Sequence, residues 1–299
     1  MLTMLESCKL CPRNCNVNRL KGEVGFCKSH SKLSIARVSL HQWEEPCISG
    51  TKGSGTVFFS HCNLNCVFCQ NHEISQEHIG KNVSIQRLSE IFLEQEKRGA
   101  HNINLVTPTH YVPQIIESLK LSKKKGLSIP ILYNSSGYEN IETLEALNGY
   151  IDIYLPDLKY MNDKYAQKYS KVKDYFKFAS SAIEKMVSQA PKPIFNEDGI
   201  MLKGVIIRHL MLPGLLFDSK KIVDYIYNKY GDSVYLSLMN QYTPMFNAVK
   251  YPEINKPLNP KHYQSLVTYS ENLGFTNAYI QEQGTVKESF VPHFDLSGV

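Results

Sequence analysis

The residues of this chain best suited to chemistry are its eight cysteines, all of which lie between Cys8 and Cys69. Cys62, Cys66 and Cys69 follow a C-x3-C-x2-C spacing within His61-Cys62-Asn63-Leu64-Asn65-Cys66-Val67-Phe68-Cys69-Gln70-Asn71. Three thiolates this close can each bind one iron of a cubane [4Fe–4S] cluster. The missing fourth ligand leaves one iron open to a cofactor or substrate, as an open coordination position does at catalytic zinc. The competing reading is a structural zinc site, which would need His61 or His72 as its fourth ligand. Cys8, Cys11, Cys15 and Cys27 form a second set, spaced C-x2-C-x3-C-x11-C. Four thiolates suit tetrahedral zinc or a second iron–sulfur cluster, and the spacing does not choose between them. Gly22, Gly25 and Pro12 suit a tight loop wrapped around such a metal. Cys47 has no evident partner; it reads as a small buried hydrophobe, with a spare ligand or hydrogen-atom donor as the alternative.

Thiolate ligands need a reducing compartment. The start, Met1-Leu2-Thr3-Met4-Leu5-Glu6-Ser7-Cys8, lacks the basic residues and apolar core of a signal peptide. No apolar run reaches the ~18 residues of a membrane-spanning helix. A cytosolic chain without a membrane partner is therefore expected. The net charge of +5 over 299 residues is a mild bias. Its densest cationic run, Lys123-Lys124-Lys125, ends an apparent amphipathic helix, where cations favour the negative end of the helix dipole. Nucleic acid is not an expected partner.

The elements that must position these cysteines are legible in the pattern of apolar residues. Up to about Ser54 the chain looks irregular, with short apolar stretches such as Leu33–Val38. It reads as a Cys-rich module, residues 1–54, too small to hold a core without metal. From Gly55 onward β-rich runs alternate with helical patterns: Thr56–Ser60, a helix over Ser84–Lys97, Ile103–Thr107, a helix from Pro113 to Gly126, Ile129–Asn134 and Ile151–Pro156. Val205–Leu210, Val234–Leu238 and a last strand near Ala278–Ile280 continue the series, and Ala190–Gly199 reads as a loop. Near-continuous apolar strands alternating with helices imply a parallel sheet covered by helices. About six βα repeats are too few for a closed eight-stranded barrel. The expected fold is thus α/β, a partial open (β/α)6 barrel over residues 55–299, with its chemistry at the carboxyl ends of the strands.

The cysteine triplet, with Phe68 before the third cysteine and a first β-strand directly before the loop, resembles the radical S-adenosylmethionine (SAM) superfamily. Asp157-Leu158-Lys159-Tyr160-Met161-Asn162-Asp163 resembles the D-L-K-x-M-N-D stretch of pyruvate formate-lyase activating enzymes. Ile207 to Gly214 resembles their I-R-x-x-x-x-P-G strand end. Cys8-Lys9-Leu10-Cys11-Pro12-Arg13-Asn14-Cys15, Gly22 to Cys27 and Trp43 to Gly50 are similar to the PflX-like branch of that group.

The resemblance implies a radical SAM barrel in which the amino and carboxylate groups of SAM chelate the open iron. Reduction then cleaves SAM to methionine and a 5′-deoxyadenosyl radical, which takes a hydrogen atom from the substrate. It further implies a polypeptide substrate, as in glycyl radical enzyme activation, and a reductant such as flavodoxin or ferredoxin. Asp157 would bind the ribose or a cation, Lys159 the SAM carboxylate, and Arg208 a carboxylate or ribose. Asn134, Ser135 and Ser136 stand where the activating enzymes carry D-T-N, with Asn134 replacing the acid. Thr107-Pro108-Thr109-His110 replaces their glycine-rich segment, and Thr107 offers a hydroxyl to the SAM ammonium. Asn240-Gln241-Tyr242 replaces their late histidine, making Tyr242 and His110 candidates for adenosine or substrate contact. The rival readings are radical modification of a small metabolite or another protein, and a non-catalytic electron-transfer or metal-binding protein.

Overall fold

Ser54–Phe59 is buried at every position, a pattern that a strand sustains only where both faces of its sheet are covered. The computed structural model, which describes residues 1–281 and 292–299, places that run inside the sheet of an α/β fold, third strand from one edge. The stretch 282–291 of the expected barrel unit lies outside the described residues.

In chain order the first elements are β1 (Leu33–His41), α1 (Pro46–Ser49), β2 (Ser54–Phe59), α2 (His72–Ser75), β3 (Lys81–Val83) and α3 (Ile85–Lys97). Then come β4 (Ile103–Val106), α4 (Val112–Lys124), β5 (Ile131–Ser135), α5 (Ile141–Ala146), β6 (Ile153–Pro156), α6 (Asp163–Ser170) and α7 (Tyr175–Gln189). The last are β7 (Ile194–Phe195), β8 (Met201–Leu210), α8 (Leu216–Tyr230), β9 (Tyr235–Met239), α9 (Pro260–Leu273) and β10 (Ala278–Ile280).

Among the described residues the strands join in the order β10-β9-β8-β6-β5-β4-β2-β1-β3, and β7 pairs with β8. The run from β2 to β10 is parallel throughout. The sheet does not close, so the expected partial (β/α)6 barrel with one further strand is the architecture observed. The helices follow local rules. α3 starts at Ser84, whose hydroxyl accepts from the Arg87 N–H, and Gly99 behind it is left-handed. Its Leu88, Ile91 and Phe92 are buried at helical spacing. No helix of the described residues is long and apolar enough to cross a membrane.

Two strands correct the sequence reading. β1, in the stretch read as irregular, pairs antiparallel with β2 from Ile35↔Phe59 to His41↔Ser54. Residues 33–41 thus share the barrel's sheet, and the N-terminal stretch ahead of the sheet is 1–32. Arg37 at mid-strand and a register shift between Ile35 and Arg37 disguise the strand in sequence. β7 lies inside the expected Ala190–Gly199 loop and pairs antiparallel with β8.

Register sets the carboxyl ends of the parallel strands level. Val106 pairs with Asn134 and Ser135 with Pro156, and Asp157 makes a last bridge to Arg208. Side chains one or two residues beyond these pairs therefore meet over one end of the sheet.

Candidate active site

The loop carrying the cysteine triplet begins where β2 ends. His61 adopts a left-handed φ of 74° and turns the chain. Leu64, Val67 and Phe68 are buried in the core and anchor the loop. Its backbone is tied by Val67 N–H to the Tyr169 carbonyl at 2.8 Å, and Gln76 donates to the Cys66 carbonyl at 3.0 Å. Each sulfur meets a polar group: the Leu64 N–H donates to Cys62 Sγ at 3.4 Å, Ser170 Oγ lies 3.0 Å from Cys66 Sγ, and Ser75 Oγ lies 3.3 Å from Cys69 Sγ. Hydrogen bonds to ligand sulfur are among the settings of an iron–sulfur potential. Burial, reinforced by the neighbouring thiols, pushes the Cys62 thiol above the ordinary range. Burial likewise pushes Cys66 up to about 11, although Lys159 pulls it down. Loading metal here must therefore release protons, because only thiolates ligate.

Among the described residues the zinc alternative at this loop finds no fourth ligand. The His61 ring donates from Nδ1 to the Cys27 carbonyl, and His72 stacks on Phe246. Among the described residues no three Cys, His, Asp or Glu side chains converge closely enough to hold one metal ion. The three cysteines instead line one wall of a cavity of about 540 Å³, within the ~300–1,000 Å³ usual for small-molecule sites. Three partly buried thiols beside a cavity of that size fit a cluster with one iron facing a cofactor.

The opposite wall is made by the strand ends. Thr107, Asn134, Ser135, Ser136, Asp157, Lys159 and Arg208 all line this cavity. Tyr242 does not: its hydroxyl donates to the Ile254 carbonyl at 2.7 Å and its ring packs edge-on against Phe68. His110 turns away as well, toward the N-terminal cysteines. Asp157 is the hub of a charge network, taking Lys159 Nζ at 2.6 Å on one oxygen and Arg208 Nε at 3.2 Å on the other. Burial would raise its pKa, but Lys159 and Arg208 outweigh burial and hold it below the ordinary value. Arg208 also donates to Asn134 Oδ1 at 2.6 Å. The position where the activating enzymes carry an acid thus serves here as a neutral acceptor for a guanidinium.

Sequence reading missed two members of this site. Glu44 accepts from Arg208 at 3.1 Å and from Asn104 at 2.8 Å. Glu45 is buried beside it. Burial holds the Glu45 carboxyl above the carboxylate range; Arg208 opposes the shift and Glu44 reinforces it. Pro46 starts α1 and sets both acids just ahead of that helix. The available signal was the tandem Glu-Glu before a proline. Thr107 carries a different mark. It holds φ at 58°, a left-handed conformation that is strained for a β-branched residue and natural to glycine.

Glu139, behind the β5 strand end, accepts from Thr109 Oγ1 at 2.7 Å and from the Tyr133 hydroxyl at 3.2 Å. Burial nevertheless pushes its pKa from 4.5 up to about 7. Between those values the folded chain binds a proton that the unfolded chain has lost. This contribution to stability is full below 4.5 and is lost as pH rises through about 7, amounting to ~3 kcal/mol. Denaturant midpoints at pH 5.5 and 8 should therefore differ less in Glu139→Gln than in the parent chain. Equal differences would show that Glu139 does not carry the effect.

Cys8, Cys11, Cys15 and Cys27 come together around a cavity of their own, which His110 also lines. The knot closes by mutual bonds, Cys8 N–H to the Val17 carbonyl and Asn16 N–H to the Cys8 carbonyl, both 3.0 Å. It is docked by side chains that follow the strand ends: Asn140 donates to the Lys9 carbonyl at 2.7 Å and Thr143 to the Leu10 carbonyl at 3.0 Å. Cys47 joins neither set. It is buried in a small apolar cluster and shares a hydrogen bond with Tyr279.

Fold and site together define a partial-barrel enzyme with a three-cysteine loop and a ring of paired charges over its strand ends. A family model described as the Radical SAM superfamily matches residues 56–225. The chain belongs to the radical SAM superfamily, and membership implies a [4Fe–4S] cluster and SAM. An uncharacterized protein of Methanocaldococcus jannaschii is 30% identical over 288 residues, 92% of this chain and 78% of the relative. Among solved structures, a spore photoproduct lyase variant aligns with a TM-score of 0.54 at 10% identity, over 82% of this chain and 79% of that one. HydG of Carboxydothermus hydrogenoformans aligns at 0.52 and 15% identity, over 77% and 54%. Streptococcus suis SuiB bound to SAM aligns at 0.51 and 16%, over 74% and 48%. This chain spans about half the length of the last two, and at these identities the likeness is one of fold.

Proposed function

We propose that this chain cleaves SAM reductively and abstracts a hydrogen atom from a polypeptide, in the manner of a glycyl radical enzyme activator. The observation that carries the reading is the single cavity joining Cys62, Cys66 and Cys69 to Asp157, Lys159 and Arg208. With the trio loaded, the cluster and SAM supply the radical chemistry. The chain supplies binding and orientation. Lys159 lies close enough to Cys66 to feel its charge and would pair with the SAM carboxylate at the open iron. Asp157 and Arg208 would take the ribose hydroxyls, with Asn134, Ser135 and Ser136 as further acceptors. Thr107 offers its carbonyl and hydroxyl to the ammonium.

The polypeptide reading draws on the rim. Trp43 lines the cavity and is 61% exposed, and large aromatic side chains at such rims favour macromolecular contacts. SuiB, a protein of the same fold, has been solved with its precursor peptide. Free thiols throughout favour a cytoplasmic chain with flavodoxin or ferredoxin as electron donor, and the N-terminal four-cysteine knot would hold metal of its own.

Incubating the anaerobically reconstituted protein with SAM, a reductant and each candidate glycyl radical lyase should yield deoxyadenosine and a glycyl radical signal by electron paramagnetic resonance. Deoxyadenosine without a stored radical would move the reading to direct modification of a small metabolite or another protein.

A further inference from the structure

The connection between β1 and β2 enters the barrel. β1 runs antiparallel to β2 and His41 pairs with Ser54, so residues 42–53 join the two strands at the amino end of the parallel sheet, opposite the cysteine loop. Here Cys47 and Ile48 pack against Leu132, Leu155 and Ile206. Each of those three stands two residues before a side chain that lines the cavity, Asn134, Asp157 and Arg208. Residues two apart on a strand share a face, so α1 plugs the barrel interior from its amino end. Asn102 holds the plug by donating to the Ile48 carbonyl at 2.9 Å. Glu44 and Glu45, just ahead of α1, face the cavity from that end.

The charges that line the cavity do not balance. Glu44, Glu45 and Asp157 face two cations, Lys159 and Arg208. His41 also lines it, but burial pushes its ring down to about 4 and leaves it neutral. Asp157 binds both cations, and Glu44 binds Arg208. Glu45 is the acid left over. It is 8% exposed, and its Oε2 is buried with no hydrogen-bond partner among the described residues. A buried carboxyl oxygen without a partner marks a place where a ligand's donor completes the structure. The surroundings suit a cation. Tyr279 lines the same cavity and lies close enough to feel the charge of Glu45. Trp43 also lines it and is 61% exposed, so solvent reaches the cavity near the acid. Aromatic rings beside a carboxylate favour an ammonium or a guanidinium.

We propose that Glu45 determines specificity in a subsite for a positively charged nitrogen group, the ammonium or guanidinium of a basic side chain in the polypeptide substrate. The role of the subsite in catalysis rests on the radical SAM reading of the cavity; cation binding at Glu45 does not. The incoming cation takes the place of the proton that burial favours on Glu45 and turns a desolvated acid into an ion pair. Lys159 and Arg208 repel the same cation from the opposite end. A side chain held by its charged tip at Glu45 therefore lays its carbons between the plug and the cysteine trio, where a hydrogen atom would be taken.

The test uses the full chain, reconstituted anaerobically and titrated calorimetrically with and without saturating SAM. The probes are blocked tripeptides with lysine, arginine or norleucine between two glycines, and n-butylamine. With SAM bound, the parent protein should bind the lysine or the arginine peptide about tenfold or more tightly than the norleucine peptide. Glu45→Gln should erase that preference and leave the norleucine peptide unaffected. Equal affinities in the parent protein, no binding of any cation, or a preference that survives Glu45→Gln overturns the proposal. A preference seen only without SAM also overturns it, because Glu45 would then serve the SAM ammonium. The comparison of lysine with norleucine in the parent protein decides the matter even where the variant fails to fold. Binding of n-butylamine as tight as that of the lysine peptide would overturn the polypeptide source. Dithionite-driven deoxyadenosine formation by the parent protein without peptide tests the catalytic reading separately: its absence would refute SAM cleavage while leaving the cation titrations to stand.

Discussion

Changing Cys66 to alanine is expected to abolish SAM cleavage, lowering deoxyadenosine formation by about a thousandfold or more, equivalent to ~4 kcal/mol of barrier. Cys66 is the middle cysteine of the trio. Its sulfur meets Ser170 Oγ at 3.0 Å and feels the charge of Lys159. Its loss leaves two thiolates for a cubane that needs three protein ligands to keep a single open iron. The change removes one partly buried sulfur, so circular dichroism and the denaturation midpoint should move little while catalytic-site iron is lost. Cys47→Ala is the matching control, because that thiol lies outside the cavity and touches Tyr279. Iron retained in Cys66→Ala together with undiminished deoxyadenosine would refute the ligand assignment.

The second large effect concerns Arg208. Arg208→Met should destabilise the protein by ~3–5 kcal/mol, the usual result of removing one partner from a buried charge pair, and should weaken SAM binding. Its side chain is 15% exposed, Asp157 is 17% and Glu44 is 10%, so solvent screens the network only slightly. The substitution deletes bonds to Asp157, Glu44 and Asn134 at once. Lys159 still serves Asp157, but Glu44 is left beside the buried Glu45 without a cation. Adding Glu44→Gln to Arg208→Met should recover part of the loss, because contacting partners are not additive. Urea unfolding and calorimetric titration with SAM would measure both effects. A change below ~1 kcal/mol with unaltered SAM affinity would mean that the guanidinium is neither structural nor a cofactor contact.

Glu44 also shows what sequence alone withholds. It meets Arg208 across a separation of 164 residues, and nothing local in Trp43-Glu44-Glu45-Pro46 says that β1 doubles back on β2 to deliver it. The same strand was hidden because its pattern is broken by Arg37 and by a register shift. Tyr242 failed for a related reason. Its strand end is correctly placed, but the hydroxyl found a carbonyl at Ile254, and which way a strand-end side chain turns depends on neighbours distant in sequence. Thr107 was located at its strand end, yet its left-handed backbone was invisible because threonine does not advertise that conformation.

What the sequence determined by itself was whatever short-range order encodes. Cysteine spacing reports the geometry of one loop, buried apolar runs such as Ser54–Phe59 report strands covered on both faces, and Ser84 and Gly99 report the ends of a helix. From these the open parallel sheet and the rim that carries the chemistry could be read. Tertiary structure alone decided which charges meet over that rim and how the N-terminal knot docks, with Arg13 donating to the Asn63 carbonyl and His61 to the Cys27 carbonyl. The physical reason is that hydrogen bonds and ion pairs are directional and short. They form only after hydrophobic packing has brought distant segments within a few ångströms, and the residues in them carry no periodic signature.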